Sequence, residues 1–256
     1  MLRIAVKAAR QAGKILLDMQ KDISVILLDM QKDISVETKK DGSPVTAADK
    51  AASKSIANTL RPTNTPVLGE ETFSETPQAS KMWVVDPLDG TSEFIKGSDE
   101  YTVNIAFVED GVPHFGVVHV PRLEMTYYGG ITTPSKKIVK GVEKNIAVSQ
   151  TSNIGVTSVS YPDERVQDLY EEIGVTDHAS VGSSLKGCYV AEGRVGVYAR
   201  FHNLYEWDVC AMHAVLEGAN GVFSYLDGSQ VIYGKENPRM KPFMMGRAEF
   251  VRRALK

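Results

Sequence analysis

The sequence predicts a mixed α/β chain, with an α+β N-terminal half over residues 1–144 and an α/β C-terminal half over 145–256. Three observations carry that expectation. The chain opens on a helix-period apolar series rather than on strands. Around Glu109-Asp110-Gly111, two alternating apolar runs flank a turn signal, which indicates an antiparallel hairpin. Beyond residue 145, short apolar strands alternate with helical segments, the rhythm of layered α/β structure. At 256 residues the chain is long enough for two closely packed halves around a substantial core.

The opening series is Ala12, Ile15, Leu16, Met19, Ile23, Ile26, Leu27, Met30 and Ile34, and it predicts a helix starting near Leu2. It contains a tandem repeat: Ile15–Val25 and Ile26–Val36 both read ILLDMQKDISV. Eleven residues are about three helical turns, so a helix can absorb the repeat with little change of face. Three added turns extend it by about 16 Å. The repeat is read either as a neutral duplication or as a new contact surface.

A polar turn over residues 39–44 leads to a second helix, from a cap at Thr46 to the stop at Pro62. Pro66–Leu68 reads as a strand entering Gly69-Glu70-Glu71, and Thr72–Lys81 as a surface loop. Met82–Val85 reads as a buried strand delivering Asp86. The hairpin pairs Tyr101–Val108 with Val112–Val120, and Glu124–Tyr128 adds a strand. In the second half the expected strands are Asn145–Val148, Gly155–Val159 and Gly196–Tyr198. The expected helices are Asp163–Ile173, Ser184–Glu192 and Asp208–Gly218.

Composition narrows the function classes. A formal net charge of -3 gives no basic field for a long polyanion, so nucleic acid is not an expected partner. The two cysteines, Cys188 and Cys210, make no disulfide framework and no CxxC site, as expected of a cytoplasmic protein. No apolar run reaches transmembrane length, and Lys7, Arg10 and Lys14 interrupt any signal-peptide core, which leaves peripheral membrane association open. There is no GxxxxGK[ST], HExxH or GxSxG motif, and the five histidines show no metal spacing. His213 is read as packing or surface, and Cys210 as a small core residue rather than a nucleophile.

Three acidic clusters remain: Glu70-Glu71, Asp86-Pro87-Leu88-Asp89-Gly90-Thr91, and Trp207-Asp208. Each falls at a strand end or a helix start. Proline and glycine in the second cluster predict a tight turn that aims Asp86, Asp89 and the Leu88 carbonyl at one point. Such hard oxygen donors suit Mg²⁺. Gly90 and Thr91, opening a helix, would offer backbone N–H groups to a phosphate. Alone, the turn is an ordinary turn and Asp208 an ordinary helix cap. Together, clustered carboxylates would repel one another without a cation, which favours a metal site.

These motifs resemble the inositol monophosphatase superfamily of Mg²⁺-dependent, lithium-sensitive phosphatases. The matching segments are Gly69-Glu70-Glu71, Trp83-Val84-Val85-Asp86-Pro87-Leu88-Asp89-Gly90-Thr91, and Trp207-Asp208 running to Gly218-Ala219-Asn220-Gly221. Within it the chain is similar to the CysQ-type 3'(2'),5'-bisphosphate nucleotidases. The segments behind that are Ser43-Pro44-Val45-Thr46-Ala47-Ala48-Asp49, Ser92-Glu93-Phe94-Ile95-Lys96, Gly182-Ser183-Ser184-Leu185-Lys186 and Tyr198-Ala199-Arg200-Phe201. The resemblance implies a layered αβαβα sandwich with the site at the junction of the halves. It implies two or three Mg²⁺ ions held by Glu70, Asp86, the Leu88 carbonyl, Asp89 and Asp208, and inhibition by Li⁺. It also implies that Glu70, Thr91 and Asp49 serve catalysis, with the hydrogen-bonded Thr91–Asp49 pair orienting the attacking water.

Ser183, Lys186 and Arg200 would face the phosphate that is not cleaved. The implied substrate is adenosine 3',5'-bisphosphate. The alternatives are an inositol-phosphate or sugar-phosphate phosphatase of the same fold, or a non-catalytic metal- or nucleotide-binding protein. Where many relatives carry Ser-Arg-Ser-His, this chain has Ser158-Val159-Ser160-Tyr161.

Overall fold

In the computed structural model the opening series forms one long helix, α1 (Leu2–Asp29). Residues 1–29, 37–38, 44–45, 47–70, 72–73, 79–202 and 204–256 are described, with side chains for 1–21 and, within those ranges, from residue 47 onward. Ala5, Ala8, Ala9 and Ala12 recur at three- and four-residue spacing and are all fully buried. They lie against α2 (Ala47–Leu60), whose Ala48, Ala52, Ile56 and Leu60 turn inward. Small side chains on both partners let the two helices approach closely.

The first repeat copy belongs to the core. Leu16 is fully buried, and Gln20 Nε2 donates to the Phe94 carbonyl at 2.9 Å. Gln20 Oε1 in turn accepts from the Tyr101 hydroxyl at 3.2 Å. The α1 backbone continues into the second copy as far as Asp29. Residues 30–36 of that copy, the turn at 39–43, the Thr46 cap and Glu71 lie outside the described residues, as does 74–78 of the expected surface loop. Two short strands, β1 (Glu37–Thr38) and β2 (Pro44–Val45), pair antiparallel before α2.

The first main sheet runs in chain order: β3 (Val67–Gly69), β4 (Lys81–Asp89), β5 (Thr102–Glu109), β6 (Val112–Val120), β7 (Met125–Gly130), β8 (Thr133–Val139) and β9 (Val142–Asn145). β3 and β4 are parallel and the later neighbours antiparallel. The β5–β6 hairpin turns at Asp110 and Gly111, whose φ values of 50° and 78° give the left-handed pair that such turns need. β8 and β9 were not expected. Pro134 and the Lys136-Lys137 pair obscure the alternation of the first, and the second is an exposed edge strand. The strand expected at Asn145–Val148 is therefore displaced: Val142–Asn145 closes this first sheet, and residues 146–149 are irregular.

The second sheet is formed by β10 (Ile154–Ser158), β11 (Asp177–Val181), β12 (Val197–Arg200), β13 (Val222–Tyr225) and β14 (Phe243–Gly246), in the order β11-β10-β12-β14-β13. β10 pairs parallel with β11 and β12, and β14 antiparallel with β12 and β13. The expected helices appear as α4 (Glu164–Ile173), α5 (Leu185–Ala191) and α6 (Glu206–Glu217), and α7 (Ala248–Ala254) follows. A short helix, α3 (Thr91–Ile95), follows β4 directly.

Apolar clusters define five layers. α1 and α2 cover one face of the first sheet through Trp83, Val85, Ile105 and Val117. α5 and α6 lie between the sheets, touching Val84, Ala106 and Val118 on one side and Tyr198 and Met245 on the other. α4 and α7 cover the outer face of the second sheet around Tyr170, Val197 and Phe250. This is the expected αβαβα sandwich. The middle-layer position explains why α6 is apolar nearly all round. Cys188 and Cys210 are buried free thiols, both held protonated by that burial. His213 packs as expected, stacked on Phe223 at 4.3 Å and bonded to the Tyr233 hydroxyl at 2.9 Å. No described helix is long and apolar enough to cross a membrane.

Candidate active site

The first sheet delivers two carboxylates through an irregularity in β4. Asp86 stands opposite Asn104 on β5, whereas Asp89 stands opposite Thr102. β4 advances three residues while β5 advances two, so one residue of Pro87-Leu88 is a bulge. Side chains alternate along a strand, and without the extra residue Asp86 and Asp89 would point to opposite faces. With it they share one. The expected tight turn is thus a bulged strand, and the reversal comes at Gly90, whose φ of 87° favours glycine. Pro87, lacking an N–H, is suited to the bulge.

Asp208 arrives from the other half, in the first turn of α6. One of its oxygens accepts from the Tyr205 backbone N–H at 2.7 Å, so it does cap the helix. It also joins Asp86 and Asp89: ligand oxygens of all three lie within 4.8 Å of one another. Burial, then the neighbouring charge of Asp89, push the Asp208 carboxyl up to about 7. Asp86 is raised well above the ordinary range by burial, and further by Asp89, Asp208, Asp49 and Glu70. Three carboxylates in mutual repulsion, with hard oxygen donors converging on one point, fit a divalent cation such as Mg²⁺.

Asp89 is fixed by donors that sequence reasoning missed. Its Oδ2 accepts from the Ser184 backbone N–H and hydroxyl, both at 2.6 Å, from Asn104 Nδ2 at 3.2 Å and from the Thr102 hydroxyl at 3.3 Å. The Ser184 hydroxyl is also 2.6 Å from the Asp208 carbonyl. Ser184 therefore lies between the Asp89 carboxylate and the α6 backbone at Asp208. Thr102 and Asn104 are fully buried polar residues at alternate positions of an apolar strand. That pattern was the available signal. Ser184→Ala should weaken metal binding roughly 10–100-fold, as loss of a ligand-orienting partner does. Titrating activity with Mg²⁺ checks this, with recovery expected at high Mg²⁺.

The cluster forms the floor of a cleft of about 490 Å³ between the halves. Glu70, Asp86, Leu88, Asp89, Gly90, Thr91, Ser183, Lys186, Arg200 and Asp208 all line it, so ten of the eleven expected residues converge there. Asp49, on α2, is buried and close enough to raise Asp86, but is not among the lining residues. The Thr91 hydroxyl donates to the Leu88 carbonyl at 3.3 Å.

Two cations also line the cleft. Lys186 is buried, its Nζ 2.7 Å from the Ser183 carbonyl and 5.4 Å from the centre of the Tyr198 ring. Burial lowers it to about 8, with Asp89 pulling the other way. Arg200 is 7% exposed, and its buried Nε has no hydrogen-bond partner among the described residues. An orphaned guanidinium N–H beside a cleft is suited to an incoming anion. Ser183 lies at φ 48°, an uncommon conformation for serine.

Residues 1–252 match the model of the inositol monophosphatase family. The chain belongs to that family. It is 39% identical over 210 residues to the 3'(2'),5'-bisphosphate nucleotidase CysQ of Salmonella typhimurium, covering 80% of this chain and 85% of that one. The crystal structure of CysQ from Bacteroides thetaiotaomicron superposes with a TM-score of 0.77 at 32% identity, covering 96% of each chain. A histidinol-phosphatase of Mycobacterium tuberculosis is 34% identical over 205 residues, covering 75% of this chain and 78% of that one. This inositol monophosphatase family member thus resembles CysQ enzymes along most of its length. It also resembles a protein named for a different phosphate ester.

Proposed function

We propose that the chain is a Mg²⁺-dependent phosphomonoesterase that removes the 3'-phosphate of adenosine 3',5'-bisphosphate, giving AMP and phosphate. The observation that carries this reading is one cleft lined by both an acidic cluster and two cations. Asp86, Asp89 and Asp208 converge on its floor, while Lys186 and Arg200 stand on its wall. A substrate bearing two phosphates matches that arrangement, one phosphate to be cleaved and one to be held.

Glu70, Asp86, Asp89, Asp208 and the Leu88 carbonyl are the proposed metal ligands. Mg²⁺ held there would supply a water acidic enough to attack near neutral pH, and positive charge for the phosphoryl and departing oxygens. Gly90 and Thr91 hold the phosphoryl group through backbone N–H groups. Thr91, with Asp49 behind it, orients the attacking water. Ser183, Lys186 and Arg200 hold the remaining phosphate, which fixes the ester in line with that water. Two buried free thiols accord with a cytoplasmic setting. A second reading, another small phosphate ester as substrate, is favoured by the histidinol-phosphatase relative.

Phosphate release from adenosine 3',5'-bisphosphate and inositol 1-phosphate, measured side by side with Mg²⁺, tests the choice. A strong preference for the nucleotide is expected. Preference for inositol 1-phosphate would overturn the roles of Ser183, Lys186 and Arg200.

The acidic floor also sets a pH dependence. Asp208, pushed up to about 7, takes a proton as pH falls through that value, and a protonated carboxyl competes poorly for a cation. Activity should therefore fall on the acid side. Tenfold more Mg²⁺ should move that limb down by about one pH unit if each ion displaces one proton. The stability of the metal-free protein runs the opposite way. A carboxyl raised in the folded state stabilises below its unfolded value of 3.8, and that contribution is lost as pH rises through about 7. The melting temperature of metal-free protein should accordingly drop across that window, and Mg²⁺ should restore it above pH 7.

A further inference from the structure

Glu93 is a buried carboxylate in the cleft that the proposed chemistry leaves unused. It lies in α3, two residues past Thr91, and is 8% exposed while lining the cleft. Its Oε1 accepts from the Ser160 hydroxyl, which reaches it from the other half. Its Oε2 lies 3.2 Å from where a side chain on Gly90 would begin, against the turn proposed to hold the scissile phosphate. Packing fixes the side chain there, because a Cβ on Gly182 would stand 2.9 Å from Glu93 Cγ. Glu93 is not part of the Asp86–Asp89–Asp208 cluster.

Ser160 answers Oε1, and the Oε2 beside Gly90 disfavours a doubly phosphorylated ligand unless it too faces a donor. Next to a phosphate loop lie the ester carbon and its ring neighbour. In a 3',5'-bisphosphate that neighbour carries the 2'-hydroxyl, and in a 2',5'-bisphosphate the 3'-hydroxyl. Either is a donor of the right kind. Resting on the bisphosphate nucleotidase reading, we infer that Glu93 accepts a hydrogen bond from the hydroxyl vicinal to the phosphate being removed. It is then a specificity-determining residue that reads the sugar.

The test compares kcat/KM for adenosine 3',5'-bisphosphate and its 2'-deoxy counterpart in the wild type, Glu93→Ala and Ser160→Ala. A hydrogen bond to a charged acceptor gives an expected wild-type preference for the ribonucleotide of roughly 10–100-fold. In Glu93→Ala the two substrates should come within about threefold of each other, the range of ordinary context effects. Ser160→Ala should keep most of the preference, which separates reading the sugar from joining the halves. If Glu93→Ala does not fold, Glu93→Gln should give an intermediate ratio, since a neutral acceptor remains. Equal wild-type rates on both nucleotides, or a preference unchanged in the Glu93 variants, would overturn the inference. Release from neither nucleotide would instead remove the reading beneath it, and the inference with it.

Discussion

Asp89→Asn should lower phosphate release by about 10³-fold or more, the scale of several kcal/mol of transition-state stabilisation. The expectation follows from how Asp89 is held. Four hydrogen bonds from Ser184, Asn104 and Thr102 converge on Oδ2 and demand an acceptor there. Asparagine can satisfy them only with its carbonyl oxygen, which turns its NH₂ group toward the other two carboxylates. A donor then stands where a metal ligand is needed. The fold should survive, because every bond to the second half is retained. Asp89 also raises both Asp86 and Asp208, so its neutralisation relieves repulsion in the metal-free protein. The variant should melt no lower than wild type without metal, and should lose the stabilisation that Mg²⁺ gives wild type. Activity assays and thermal melts with and without Mg²⁺ check the two halves of this expectation.

Arg200→Ala should raise KM for adenosine 3',5'-bisphosphate by about 10²-fold, the scale of losing a charge-assisted contact to phosphate in a desolvated site. Its buried Nε lacks a partner among the described residues, and the side chain lines the cleft that holds the acidic cluster. Tyr161, 5.5 Å from the guanidinium, offers only the face of an exposed ring. The rate on a monophosphate such as inositol 1-phosphate should change far less, because that substrate has no second phosphate to hold. A matching loss on both substrates would point instead to a structural role in β12. Steady-state kinetics on the two substrates separate these outcomes.

The acidic floor was legible in the sequence because each carboxylate stands in a short motif with a turn or helix signal beside it. What orients Asp89 was not. Ser184 is 95 residues away in the chain, and Asn104 and Thr102 lie on a strand whose pairing register sequence alone does not fix. The β4 bulge escaped for a related reason, since proline and glycine signal a break without saying whether it is a turn or an added strand residue. Glu93 and Glu100 show the same limit. Each bonds across to the second half, Glu93 through Ser160 and Glu100 through the Gly182 backbone N–H at 2.8 Å, and nothing local marks those contacts.

For the fold, the first sheet was readable where neighbours in sequence are neighbours in space. It faded at β8, where Pro134 and two lysines obscure the alternation. The second sheet was harder, because β11, β13 and β14 are short and β14 sits between strands that precede it in the chain. The repeat shows what a pattern can fix and what it cannot. Its period predicted a helix through at least the first copy and left the course of the second open; α1 runs on to Asp29, and Gln20 shows that the first copy carries core contacts.

The central claim is that the convergent carboxylates work by holding divalent metal. The most direct test is phosphate release from adenosine 3',5'-bisphosphate by protein stripped of metal, titrated with Mg²⁺ and then with Li⁺. The expected result is no release without Mg²⁺, saturable recovery on its addition, and inhibition by Li⁺. Undiminished release in the presence of chelator, or no release from folded protein saturated with Mg²⁺, would contradict it.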